Sequence, residues 1–213
     1  MDPLQTLGFA LGTSFASGLN LYATIAAAGI FHRTGLVTLP PGLSVLADPI
    51  VLGLATVLFL VEFVADKIPL VDSLWDTLHT FIRPPAAAIL AYGAFTSVPE
   101  AWKLAAALLA GGVALSSHSA KATTRAAVNT SPEPVSNWIL SFAEDAVAVF
   151  LVWFAAEHPI LTGITVVVLV VLSAILVWKL FRFVRRVWRR LRGLPVEPPE
   201  PGVHDGPAAA AVK

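Results

Sequence analysis

The sequence predicts an all-α protein, a polytopic bundle of helices that crosses a membrane five or six times. Of its 213 residues, 56% are hydrophobic and only 13% are charged, whereas a soluble domain carries about 25% charged residues. The segment Ile160–Trp178 contains no charge and matches the roughly 20 apolar residues that a membrane-spanning helix requires. An ordinary soluble globular domain is therefore excluded.

The first helix is predicted over Pro3–Phe31. Small and polar residues between Gly12 and Asn20 interrupt its apolar sequence, and small residues allow neighbouring helices to approach closely. No Lys or Arg precedes Arg33, so the positively charged start of a secretory signal is missing. We therefore expect this helix to be retained rather than cleaved.

The second helix is predicted over Pro49–Ile68 and is followed by Pro69. Polar residues then recur every three or four positions in Leu70–Arg83, which predicts an amphipathic helix at the membrane interface. Its interfacial residues are Asp72, Asp76, His79 and Arg83. Two prolines open the apolar segment Pro84–Ala94, which is either a half-crossing or the thin end of a kinked third helix.

The fourth helix begins at Trp102 and turns polar after Leu115, and the fifth is predicted over Val135–Ala156. The sixth begins at Ile160 and continues into a basic segment. These elements define a membrane domain over residues 1–194, with candidate halves 3–98 and 101–192. Residues 195–213 are rich in Pro, Ala and acidic residues, so a disordered cytoplasmic tail is predicted.

A short sequence similarity suggests an internal repeat. The tripeptide Phe-Leu-Val occurs at Phe59–Val61 and again at Phe150–Val152, and each is followed by further matches up to a proline. A chance match is the alternative, because these residue types dominate every membrane helix. A true duplication with three helices per half would be an inverted repeat, an architecture that many transporters build with broken or re-entrant helices.

Several ionisable residues fall within or beside the apolar segments. A carboxylate at the centre of a membrane helix costs about 2.5–3.5 kcal/mol on insertion scales, so these groups are expected to face inward and line a polar cavity. The candidate ion- or substrate-binding residues are Glu62, Asp66, Lys67, His118, Lys121, Arg125, Asn129, Glu144 and Asp145. The alternative is a set of structural ion pairs that lock the helices together.

Catalytic and metal-binding patterns are missing from the sequence. There is no cysteine, which excludes disulfides, thiolate catalysis and cysteine metal sites. His79, His118 and His158 have no spacing typical of metal ligands, and no GxSxG or Walker sequence occurs. We therefore expect no enzymatic activity, no metal and no cofactor.

Cations are concentrated near the C-terminus. Seven of the fourteen Lys and Arg residues lie in Lys179–Arg192, interleaved with aromatic and aliphatic residues. This pattern favours anionic lipids over nucleic acid as the partner, and a simple topology anchor is the alternative. By the positive-inside rule, the C-terminus of this multi-pass protein is predicted to be cytoplasmic. Small-residue faces such as Gly111–Ala114 could also pack between subunits of a homo-oligomer.

Four sequence blocks resemble a known family. They are VEFVADKIPLVD (Val61–Asp72), TFIRPPAAAIL (Thr80–Leu90), AVNTSPEPVSNW (Ala127–Trp138) and SFAEDAVA (Ser141–Ala148). Together they resemble a family of bacterial membrane proteins catalogued as domain of unknown function 4126. The resemblance implies a multi-helix inner-membrane protein and transfers no catalytic residue.

The function predicted from these features is a small membrane transporter or carrier of an ion or anionic small molecule. Charged residues where charge is costly, interrupted helices and the candidate repeat all favour a site inside the membrane. The alternatives are a membrane scaffold or assembly protein that transports nothing, a lipid-handling protein, and a channel.

Overall fold

The computed structural model describes residues 1–129 and 134–192, and within them every regular element is a helix. The all-α prediction is therefore confirmed. In chain order the elements are α1 (Pro3–Leu19), α2 (Leu21–Arg33), a 3-10 helix (Pro41–Ala47), α3 (Pro49–Ala65), α4 (Pro69–Ala94), α5 (Glu100–Val128), α6 (Pro134–Glu157) and α7 (Pro159–Leu191).

The first predicted helix is two helices that form a hairpin with Asn20 at its tip. Asn20 has an extended backbone (φ −149°, ψ 105°); its N–H donates to the Ala16 carbonyl and its side chain accepts from the Ala23 N–H. One residue therefore closes α1 and caps α2. At the other end of the hairpin, α2 reaches the 3-10 helix, where Gly29 lies against Leu46.

The segments predicted separately before and after Pro84 form one continuous helix, α4, which contains both Pro84 and Pro85. The sequence expectation of a break at the prolines is thus corrected. A proline inside a helix removes one backbone hydrogen bond. Here the turn is packed against α5, because the backbone at Gly111 lies close to the Pro84 carbonyl.

Helix α1 packs against α4, α5 and α6. Close approach depends on glycine: a Cβ atom at Gly8 would overlap the Pro159 carbonyl, and one at Gly18 would overlap Ser117. We call the end where α1, α3 and α5 finish, and where α2, α4 and α6 begin, the polar end. The 3-10 helix lies at the opposite end, where Gly42 meets Gly93 of α4.

In the part of the chain that the structure describes, two helical segments are long and apolar enough to cross a membrane: Val135–Glu157 and Pro159–Arg189. A third crossing results if Pro41–Ala47 and Pro49–Ala65, bent by 66°, form one broken span. The long helices α4 and α5 are not among these candidates, since charged residues interrupt their apolar sequence.

The chain divides into two compact units, Met1–Val177 and Trp178–Lys213. In the described part of the second unit, α7 continues as a helix with exposed arginines, and the Arg182 guanidinium lies 4.5 Å from the centre of the Trp178 ring. The predicted disordered tail over residues 195–213 lies outside the described residues.

Candidate functional site

A buried group of charged side chains fills the polar end of the first unit, and we call it the polar cluster. It is built where the last turn of α3, the first half of α4, the second half of α5 and the first half of α6 meet around the hairpin tip. Its members are Asn20, Glu62, Asp66, Asp72, Asp76, His79, Arg83, His118, Lys121, Arg125, Asn137, Glu144 and Asp145, each at most 8% exposed.

Arg125 of α5 is the centre of one half of the cluster. Its Nη2 donates to Glu144 Oε2 at 2.7 Å and to Asp66 Oδ2 at 3.0 Å, and its Nε also donates to Glu144 at 3.1 Å. Its Nη1 donates to the Asp66 carbonyl and to Asn137 Oδ1, both at 2.8 Å. All five N–H donors of this guanidinium are thereby used, and the side chain joins α3, α5 and α6.

Two further cations contact the end of α1. Lys121 Nζ lies 3.0 Å from both the Leu19 carbonyl and Asp66 Oδ2, and Arg83 Nη1 donates to the Gly18 carbonyl at 2.8 Å. The last carbonyls of a helix have no partner within the helix and carry partial negative charge. The hairpin tip thus adds neutral acceptors to the carboxylates that surround these cations, and Arg83 Nη2 binds one of them, Glu62.

The hydrogen bonds of His118 define its protonation. Its Nδ1 lies 2.8 Å from Arg83 Nη1, and because a guanidinium can only donate, Nδ1 is the acceptor. Nε2 therefore carries the hydrogen and faces the Asp76 carbonyl at 3.0 Å and Thr80 Oγ1 at 2.9 Å. With Nδ1 as an acceptor and Nε2 as a donor, the ring carries a single hydrogen and is neutral.

Carboxylates outnumber cations in the cluster. Glu62, Asp66, Asp72, Asp76, Glu144 and Asp145 are six acidic side chains, whereas Arg83, Lys121 and Arg125 are three basic ones, which leaves a formal excess of three negative charges. Lys67, at the partly buried edge, reduces the excess to two. Uncompensated buried charge is costly, so this composition favours uptake of protons or cations.

Not every carboxylate oxygen has a hydrogen-bond donor. Within the described part of the chain, one oxygen each of Glu62, Asp66, Asp72 and Asp145 has none, and Asp76 has none on either oxygen. Asp145 is held instead through its other oxygen, which accepts from Asn20 Nδ2 at 2.8 Å. Among the cations, Arg125 has all its donors paired, whereas the Nε of Arg83 has no partner within the described residues, and several of the anions are also unsaturated.

The structure brings most of the predicted binding residues together. Glu62, Asp66, His118, Lys121, Arg125, Glu144 and Asp145 are all in the cluster. Lys67 lies at its edge, with Nζ 3.1 Å from the centre of the Phe63 ring. Asn129 also lies at the edge, where its amide donates to Asp72 Oδ2 at 2.8 Å.

The predicted interfacial face of α4 needs correction. Asp72, Asp76, His79 and Arg83 do share one side of the helix, but all four are buried inside the cluster rather than exposed at a membrane surface. Spacing alone shows that a helix has a polar face; it cannot show whether water, lipid headgroups or protein covers that face. Here the partners are polar groups of α1, α3 and α5.

Other members of the site were missed by sequence reasoning. Asn137 bridges Arg125 and the Asp66 carbonyl, and Tyr22 lies 3.2 Å from His79 Nε2 through its hydroxyl. Asn20 was noted only as part of a run of small and polar residues. The signal in the sequence was the residue type, because Asn is a preferred N-cap residue. In the structure Asn20 has an extended backbone and caps α2.

The fold and the site together define the class of the protein. The chain has apolar helices that could cross a membrane, and it buries a charged cluster, as expected of an integral membrane protein. The chain belongs to the family described as "Domain of unknown function (DUF4126)", whose model matches residues 7–179. The family resemblance noted from the sequence blocks is thus confirmed. No curated protein and no solved structure matches the chain.

Proposed function

We propose that this protein is a small membrane transporter or carrier that moves an ion through the polar cluster. The observation that carries the proposal is the burial of nine charged side chains with more carboxylates than cations. Within membrane proteins such groups are retained mainly where they bind or relay ions. The negative excess favours a small cation or proton over the anionic small molecule that the sequence also allowed.

The α1–α2 hairpin supports this proposal. Transporters commonly place their substrate site beside discontinuous helices, whose unpaired carbonyls and polar breaks face the ion. Here the break at Asn20 contacts Asp145, and the free carbonyls of Gly18 and Leu19 contact cations of the cluster. A displacement of the hairpin would change the surroundings of three helices at once.

The inverted repeat stays a prediction that two features support. The matching tripeptides lie in α3 and α6, and α3 contributes carboxylates to the cluster from its C-terminal end, whereas α6 contributes them from its first half, as expected of antiparallel helices. The helix that follows each begins with the matched proline, at Pro69 and Pro159. We keep five or six crossings, a cytoplasmic C-terminus, the bacterial inner membrane and the absence of enzymatic activity as parts of the proposal.

Ion flux into liposomes tests the transport function. Purified protein is reconstituted, gradients of H⁺, Na⁺ or K⁺ are imposed in turn, and internal pH and ion content are followed with fluorescent indicators. We expect flux of at least one ion above that of protein-free vesicles. Glu144→Gln should reduce this flux strongly, because Glu144 pairs with Arg125 and lies near Lys121. Glu157→Gln, an exposed carboxylate at the other end of α6, is the matched control.

A non-transporting scaffold is the second candidate, and the saturation of Arg125 favours it. Buried ion pairs with complete hydrogen bonding can serve packing specificity alone. In that case no gradient drives flux, and Glu144→Gln lowers the yield of folded protein without a transport defect. Loss of flux in a normally folded Glu144→Gln protein would contradict the scaffold.

A further inference from the structure

Asp76 is the least satisfied charged group of the cluster. It lies on α4, one turn after Asp72, and is 4% exposed. Among the described residues it is the buried carboxylate with no hydrogen bond to either oxygen. Its ion-pair contact is with Arg83, at 3.8 Å from Nη2 to Oδ1, which is too long for a hydrogen bond.

Asp76 also lines a cavity between α4 and α5. The cavity has a volume of about 220 Å³, which is sufficient for several water molecules. Its lining consists of Ser73, Asp76, Thr77 and Thr80 from α4 and of Ala122, Arg125 and Ala126 from α5. Three residues with hydroxyl groups and Asp76 therefore line one cavity in which water can bind, next to the buried carboxylate.

Among the described residues, the cation in ion-pair contact with Asp76 is Arg83, and Arg83 also binds Glu62. Both cations nearest to Asp76 on α5 are committed elsewhere: Lys121 to Asp66 and the Leu19 carbonyl, and Arg125 to Glu144 and Asp66. On α4 itself, Asp72, His79 and Arg83 lie on the same side of the helix as Asp76. The neutral His118 of α5 contacts the backbone carbonyl of Asp76. Asp66, at the end of α3, adds a negative charge nearby. Glu62 of α3 and Tyr22 of α2 contact Arg83 and His79, two residues on the same side of α4 as Asp76.

An ionised Asp76 would therefore be a buried anion without a donor, in a cluster that already has an excess of negative charge. Burying such a group is costly. A proton removes that cost, because the neutral carboxyl can donate one hydrogen bond to water or to a hydroxyl of the cavity.

We propose that Asp76 is a proton-binding site that exchanges its proton with water in the α4/α5 cavity. In the exchange a water-borne proton forms the O–H bond of the carboxyl, and the reverse step returns it to water. The assignment rests on the proposed function, since it makes the proton the ion that the cluster binds. Asp76, rather than His118 or Glu144, then carries the exchangeable proton.

Infrared pH-difference spectroscopy of the full chain in lipid bilayers tests the site directly. We expect the wild-type protein to show the C=O band of a carboxylic acid that disappears as pH rises, with a midpoint above that of an ordinary aspartate. Asp76→Asn should lose this band completely, and Glu157→Gln should retain it. A band that persists unchanged in Asp76→Asn, or a wild-type spectrum without such a band, would overturn the assignment.

Asp76→Glu provides a second variant in case Asp76→Asn does not fold. Moving the carboxyl by one methylene changes its surroundings, so the band should shift in position and midpoint; an unshifted band would also overturn the assignment. The spectrum needs no gradient. A proton band without ion flux leaves the Asp76 site intact and contradicts the transport function, whereas flux without an Asp76 band contradicts only the site.

Discussion

The two halves of the polar cluster differ in how completely their charges are paired. Around Arg125 every donor has an acceptor, and three helices are joined by one guanidinium. Asp76, which lines a cavity, accepts no hydrogen bond on its carboxylate within the described part of the chain, and its ion-pair contact with Arg83 is long, at 3.8 Å. A fully paired ion network resists change because each partner depends on the others. A carboxyl that accepts no hydrogen bond can gain or lose a proton without disturbing such a network. We therefore expect the Arg125 half to stabilise the fold and the Asp76 half to be able to change its protonation.

The largest effect is expected where the paired half is broken. Arg125→Met keeps much of the side-chain volume but leaves Glu144 and Asp66 buried without their main donor. Removing one partner of a buried pair costs about 3–5 kcal/mol, so we expect a large drop in the thermal unfolding midpoint in detergent. Arg33→Met, an exposed arginine on α2, is the control. Equal midpoints for the two variants would show that the Arg125 network contributes little.

A smaller loss is expected at the hairpin tip that joins the halves. Asn20→Ala removes the cap of α2, worth about 0.5–2 kcal/mol, and the donor to Asp145, whose loss leaves a buried acceptor unpaired at about 1–3 kcal/mol. Asn20→Ser keeps a capping oxygen but lacks the amide donor. The serine variant should therefore unfold at a temperature between those of the wild type and the alanine variant. If the two variants were equally stable, the contact with Asp145 rather than the cap would account for the loss.

The next-largest loss of stability is expected where the α1–α2 hairpin packs closely against α5. A Cβ atom at Gly18 would overlap Ser117 and the Ala114 carbonyl, whereas one at Gly112 would meet nothing within 4 Å. Gly18→Ala should destabilise the protein by about 1–3 kcal/mol through overpacking. Gly112→Ala should stabilise it slightly, since Ala favours a helix by about 1 kcal/mol over Gly. The pair is compared by thermal unfolding in detergent, and changes of the same sign would contradict the packing argument.

The smallest effect on stability is expected in the unpaired half. Asp76→Asn conserves shape and replaces a carboxyl that accepts no hydrogen bond from the described residues, so the unfolding free energy should change by less than about 1 kcal/mol or rise. Thermal unfolding in detergent measures the change. A loss as large as that of Arg125→Met would mean that Asp76 is a structural ion-pair partner and that the two halves do not differ.

The sequence predicted much of this fold, because its evidence was local. Apolar segments and prolines placed the starts of α3, α6 and α7 within one residue of the observed ones. Two elements were misjudged: the break at Asn20 was treated as a soft interruption, and Pro84 was treated as a boundary. In both cases tertiary packing decided the outcome, through the contact of Asn20 with Asp145 and the packing of α4 on α5 at Gly111.

The candidate site was only partly predictable for a related reason. The cost of placing charge in an apolar segment pointed to Glu62, Asp66, Glu144 and Asp145 from composition alone, and all four are buried. That cost does not apply to a helix with a continuous polar face such as the first half of α4. Its residues were therefore assigned to a membrane surface, although α1, α3 and α5 cover them.

Residue types and their spacing thus determined that this chain is helical and apolar, and they indicated which charged side chains had to be buried with partners. Both results follow from the solvation free energy of individual side chains. Which charges meet depended on the reversal at Asn20 and on the close approach of α1 to α5 at Gly18. Only the folded structure separates a saturated Arg125 from an unpaired Asp76, because hydrogen bonding depends on distances between residues that are far apart in the chain.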